Sequence, residues 1–153
     1  MAAGRSSIAR VLLTTILLIG GCGLPSATIR VDSVLLGDVR TIGKVLAAVE
    51  GVSESDHIKQ VSNLLVIDVG ATSGSQALDK AVEFLIARKW AIATENRPAI
   101  VLLNSTVHKN TSVAVRPFHP AYFEDFPDVL QRLRGSSVDE NSLVYLDVSA
   151  IDG

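Results

Sequence analysis

Gly70-Ala71-Thr72-Ser73-Gly74-Ser75 is the first stretch whose residue types and spacing permit chemistry. It joins an aliphatic run to a helical pattern, and the free amide hydrogens and dipole of a helix start can hold an anion. Ser73, Gly74 and Ser75 are therefore candidate contacts for an anion or small ligand. A hydrolytic role would require Ser73 to stand beside His57 or His119. The segment is not a Walker loop, because no Gly-Lys-Ser/Thr follows, and it lacks G-x-G-x-x-G spacing. Asp79 adds a negative charge in the first helical turns, and helix capping by Ser73 or Ser75 is the simpler role.

The remaining reactive side chains are scattered. His57, His108 and His119 fall in three separate polar stretches without a nearby second ligand, so metal-site spacing is absent. Asp56-His57 stands near Ser53 and Ser55, but residues of one polar loop make no triad without an orienting fold and oxyanion donors. Glu124, Asp125 and Asp128 lack the ligand alternation and glycine of a calcium loop. Asn104-Ser105-Thr106 and Asn110-Thr111-Ser112 match the glycosylation acceptor. Phe118, Tyr122, Phe123 and Phe126 are four of the chain's seven aromatics, gathered around His119-Pro120. Exposed, they would form an interaction surface; folded onto a sheet, they would each contribute about 1.5 to 3 kcal/mol of burial. No catalytic set is assembled, and no metal or dissociable cofactor is expected.

The lone cysteine has the most specific context. Residues 1–10 carry Arg5 and Arg10 and no acid, Val11 to Gly21 are uncharged, and Cys22 follows Leu18-Ile19-Gly20-Gly21. An uncharged run this short falls below the roughly 20 residues of a permanent membrane helix and reads as an export signal. Leu-Ile-Gly-Gly-Cys resembles the lipobox of bacterial lipoproteins. That resemblance implies diacylglycerol on the Cys22 sulfur, cleavage between Gly21 and Cys22, and often an acyl chain on the new amino terminus. Each buried methylene contributes about 0.8 kcal/mol, so two or three chains hold a protein durably. The expected location is the extracytoplasmic face of the cell membrane. Gly23 stands where some Gram-negative lipoproteins carry an inner-membrane retention aspartate.

Composition bounds the rest. The chain has 153 residues, 14 Lys plus Arg against 16 Asp plus Glu, and 48% hydrophobic residues. That suits one small domain with its own core. A single cysteine excludes a disulfide framework and a thiolate zinc site. Removal of Arg5 and Arg10 would leave 12 basic residues against 16 acidic ones, a charge of −4, which favours neither nucleic acid nor anionic lipid. The expected partners are the membrane, through the anchor, and an envelope protein or small ligand.

The expected organisation is a signal peptide over 1–21, a tether over 22–27 and one domain over 28–153. Ile29 and Val31 alternate over 28–34 as an edge strand. Val39, Ile42, Val45, Leu46 and Val49 have helical spacing, with Asp38 as cap and Gly51 as stop; residues 52–61 read as a loop. Leu64 to Val69 reads as a strand buried on both faces, and Ala77, Leu78, Ala81, Val82 and Leu85 as the apolar side of a second helix. A hairpin over 89–95 and 99–103, a third strand over 112–118, a helix from Pro127 to Gly135 and a strand over 143–148 complete the pattern. The resulting class is α+β: a two-layer sandwich, antiparallel or mixed sheet with helices on one face, a ferredoxin-like variant. The functional expectation is a membrane-anchored binding or interaction module. The alternatives are a small hydrolase or anion-binding protein using Gly70–Ser75, and an assembly partner pairing through an edge strand.

Overall fold

The computed structural model describes residues 27–55 and 57–150. The signal segment, Cys22 and Asp56 lie outside the described residues. The elements in chain order are β1 (Ala27–Arg30), α1 (Ser33–Arg40), β2 (Lys44–Ser55), β3 (Ile58–Asp68), α2 (Gly74–Ala87), β4 (Trp90–Asn96), β5 (Ile100–Ser105), β6 (Thr111–Pro117), α3 (Pro127–Arg134) and β7 (Leu143–Ala150), with single 3-10 turns at Pro120–Phe123 and Glu140–Ser142. From β3 onward the order of strands and helices is the one read from the sequence.

The strands form one open mixed sheet in the order β2-β3-β7-β6-β5-β4. Every neighbouring pair in that series is antiparallel. β1 alone is parallel: it pairs with residues 58–61 of β3, while β7 pairs with residues 63–68. These two strands therefore lie end to end along one side of β3, and β1 makes the single pairing expected of an edge strand.

Period-2 alternation divides the buried residues between the two faces. Leu65 and Ile67 of β3, Val144, Leu146 and Val148 of β7, Val113 and Val115 of β6, and Val101 and Leu103 of β5 pack with α1 and α2 into the larger core. Leu64, Val66, Ala47, Leu143 and Tyr145 point the other way and pack against Phe123, Val129 and Leu133. The helices are thus not confined to one face. Leu35 and Val39 of α1 and five residues of α2 cover the first. α3 covers the second, because Pro127 starts a short helix whose Val129 and Leu133 are four residues apart and seal Leu64 and Val66.

Two local expectations are overturned. The residues read as a helix from Asp38 to Gly51 instead end α1 and begin β2. Asp32 is the true cap, its carboxylate accepting from Val34 N–H at 2.7 Å. The chain then turns at Gly43, where a Cβ would stand 2.3 Å from the Asp68 carbonyl oxygen. A bulge between Val45 and Ala47 leaves Val45 against the α1–α2 core and Leu46, Ala47 and Val49 against the other, so it is pairing along β3, and not apolar spacing, that makes this segment a strand. The residues read as a loop over 52–61 form the outer part of the β2–β3 hairpin, closed at His57 with φ of 67°. Ser53, Glu54 and Ser55 are exposed there, so the strand carries a loop's composition.

Candidate functional site

α3 and the 3-10 turn before it roof the second face over β2, β3 and β7. Beyond that roof, on the strip formed by β6 and β5, Leu102 is 37% exposed and Ala114 is only half-buried. A cleft of about 160 Å³ opens at the border, lined by Ala114, Arg116, Tyr122, Tyr145 and Asp147.

The strand register builds it. Ala114 of β6 lies opposite Asp147 of β7, and Arg116 opposite Tyr145. Because both strands alternate, all four side chains share one face, while Val113, Val115, Val144 and Leu146 fill the core behind them. The fifth residue arrives from above. His119 Nδ1 accepts from Ala121 N–H at 3.2 Å and starts the turn, Phe118 N–H donates to the Leu143 carbonyl, and the fully buried Phe123 ties the turn to the sheet. Tyr122 is thereby stacked on Tyr145, with ring centroids 5.0 Å apart. The Arg116 guanidinium lies 5.5 Å from the Tyr122 ring centroid, within cation–π range.

The electrostatics are those of a half-desolvated, charge-balanced pair. Burial raises the Asp147 carboxyl above its ordinary value, opposed by the Arg116 guanidinium and a Ser62 hydrogen bond. Burial first, then Asp147, pushes the Tyr145 hydroxyl up to about 12, with Arg116 acting in the opposite direction. Tyr145 is therefore a proton-bearing donor at neutral pH and no base. Arg116 Nε and Asp147 Oδ1 are buried without hydrogen-bond partners. Among the described residues the ion pairs are Arg30–Glu50, Arg97–Asp79 and Arg97–Glu95, so Arg116 and Asp147 do not meet directly. The cleft offers a donor and an acceptor held apart beside two aromatic rings. Such an arrangement can accept hydrogen bonds from and donate them to a ligand; among its lining residues no nucleophile stands beside a base.

The sequence-derived candidates are distributed differently. Ser73 caps α2, its hydroxyl accepting from Gln76 N–H and lying 3.3 Å from Ser75 Oγ. Gly74 lies against the Pro117 ring, where an added Cβ would come within 3.3 Å. A shallow depression of about 330 Å³ adjoins them, lined by Gly70, Ala71, Thr72, Gln76, Asp79, Lys80 and Glu83 and not by Ser73–Ser75. Its donors are engaged, Thr72 with Gln76 and Lys80 with the Gly70 carbonyl, and its two carboxylates oppose an anion. No hydrogen bond joins Ser73 to His57 or His119: the former closes the β2–β3 hairpin, the latter caps the 3-10 turn. Of the aromatic cluster, Phe123 is buried, Phe118 and Phe126 pack half-buried around it, and Tyr122, 36% exposed, alone reaches the cleft. Among the described residues no group of His, Cys, Asp or Glu is placed to hold a metal ion.

Sequence reasoning passed over Ala114, Arg116, Tyr145 and Asp147. The available signal was the second face of two strands already recognised: Arg116 two residues from Ala114, and Tyr145 two from Asp147. That these pairs oppose one another depends on register, which neither strand specifies alone. The chain matches no known protein family, curated protein or solved structure.

Proposed function

We propose that this protein is an exported, lipid-anchored binding module of the cell envelope, held at the extracytoplasmic face by acyl chains on Cys22. One observation carries the reading: the only cysteine of the chain directly follows Leu18-Ile19-Gly20-Gly21 at the end of a basic, then uncharged, leader. Cys22 stands five positions before Ala27, the first residue of β1. Five steps of chain reach at most about 18 Å, so an anchor on Cys22 would keep the end of the domain where β1 starts close to the membrane. Ala27 N–H donates to the His57 carbonyl at 3.1 Å, which puts the β2–β3 hairpin at that end too. Counted along the sheet from there, Arg116 and Tyr145 fall in the distal half, open to partners in the envelope.

Architecturally, we read the domain as a two-layer sandwich with a local third layer under α3. Its kinship to ferredoxin-like folds goes no further than the crossover β3-α2-β4, whose parallel strands are separated by three strands instead of one.

Intact mass spectrometry of the protein from bacterial membranes tests the anchor, alongside Cys22→Ala. The native protein is expected to lack residues 1–21 and to carry added acyl mass, and the variant to be unprocessed and lost from the acylated membrane fraction. A native chain with a bare thiol or an intact leader overturns the reading.

A further inference from the structure

We propose that the cleft between Arg116, Tyr122, Tyr145 and Asp147 binds an amide group of a polypeptide partner, the amide carbonyl accepting from the Arg116 guanidinium and the amide N–H donating to the Asp147 carboxylate. The inference deepens the binding-module reading by naming a ligand, and it is independent of the anchor.

Four observations select that chemistry. First, the lining carries one cation and one anion that do not pair with each other. A free anion would gain the guanidinium and meet the carboxylate, and a free cation the reverse. A zwitterion answers both charges but must shed the hydration of two ions. A neutral amide supplies an acceptor and a donor at a much smaller desolvation cost. Second, Arg116 Nε and Asp147 Oδ1 are buried and unpartnered, so the protein leaves hydrogen-bonding capacity of both kinds unused. Since these two atoms are themselves covered, the ligand is met by the other guanidinium nitrogens and the second carboxylate oxygen.

Third, the Tyr122 and Tyr145 rings, stacked on each other, give the cleft an aromatic wall against which the flanking carbons of an amide can pack. Its volume is about 160 Å³, and it opens to solvent on one side. A secondary amide with its two flanking carbons fits within it. Fourth, the uncovered strip past Ala114 and Leu102 continues outward from the cleft, leaving a path for the residues that flank the bound amide in an extended chain.

Saturation-transfer NMR on the full-length protein in detergent micelles tests this, with N-acetylglycine N-methylamide as probe and acetate, methylammonium, glycine and N-acetylglucosamine as separate arms. Transfer to the blocked amide is expected, with millimolar affinity, and little to the other four. Asp147→Asn and Arg116→Lys are each expected to weaken binding at least tenfold. Ala114→Leu, which fills the cleft from a half-buried position without touching either charge, is expected to abolish it. Far-UV circular dichroism identifies any variant that fails to fold, in which case the remaining ones decide. Absence of transfer to the amide overturns the proposal, as does transfer unchanged in Ala114→Leu or a stronger response to any of the other four probes. None of these results bears on Cys22, so the anchor and the cleft stand or fall separately.

Discussion

Phe123→Ala removes the side chain on which the cleft's roof depends. The Phe123 ring is fully buried and has three aromatic neighbours: Phe118 at 6.2 Å, Phe126 at 6.1 Å, and Tyr145 edge-on at 5.4 Å. Losing it removes about 1.5 to 3 kcal/mol of transfer free energy and leaves a cavity that the rigid sheet below cannot close. Truncations of this kind cost about 3 to 5 kcal/mol, a large part of the roughly 5 to 15 kcal/mol that holds a domain folded. With a urea slope of about 2 kcal/mol/M, the unfolding midpoint should fall by about 2 M. The assay is urea unfolding followed by two probes. Trp90 is the only tryptophan and lies 3% exposed in the opposite core, while near-UV tyrosine dichroism follows Tyr122 and Tyr145. If the domain is one cooperative unit, both probes shift together. Phe126→Ala, at a half-buried position, should cost about half as much. A Phe123→Ala midpoint within about 0.5 M of the parent would refute the packing argument, and with it the account of what positions Tyr122.

Two further predictions concern ionisation. Because folding raises the Asp147 pKa above that of the unfolded chain, the folded state binds the proton more tightly, and stability is lost as pH rises from the unfolded value through the folded one. Asp147→Asn is thus expected to be at least as stable as the parent at neutral pH, with the difference closing in acid; calorimetry showing a variant destabilised only at neutral pH would contradict it. Tyr145 should titrate near 12 in a phenolate absorbance experiment, so stability contributed by its neutral form is present below about pH 10 and is lost as pH rises through 12. Tyr145→Phe should delete that late step, and an unchanged titration curve would exclude the assignment.

Much of the architecture was legible because it rests on local signals. The continuous run Leu64–Ile67 announced a strand buried on both faces, and the spacing of Ala77 to Leu85 announced α2. Pro127 and Gly135 bracketed α3. What failed was decided by non-local pairing. Val39, Ile42, Val45, Leu46 and Val49 keep a helical spacing, and only β3 lying alongside makes Lys44 onward a strand. The face that α3 would cover was equally hidden, since Val129 and Leu133 specify an apolar stripe and not its destination. The cleft was illegible for the same reason: Arg116 and Asp147 are thirty-one positions apart in sequence, and only the β6–β7 register makes them neighbours. Tyr122 was noticed for its aromatic company, whereas its role follows from Phe123 turning inward beside it.

The unequal covering of the two faces explains why the cleft forms where it does. One face is sealed by α1 and α2 along nearly its whole width, with Val101, Leu103, Val113 and Val115 fully covered. The other has a short roof, and the eight residues of α3 end before it reaches β6. Side chains at the edge of such a roof are neither dry nor fully wet. An arginine and a carboxylate placed there lose part of their hydration without gaining each other, because Arg116 is drawn to the Tyr122 ring and Asp147 to Ser62. Burial without pairing is costly to a fold. The covered atoms Arg116 Nε and Asp147 Oδ1 keep that cost whether or not a ligand is present, so the proposed amide would be held by the remaining guanidinium nitrogens and the second carboxylate oxygen, at the boundary of the roof.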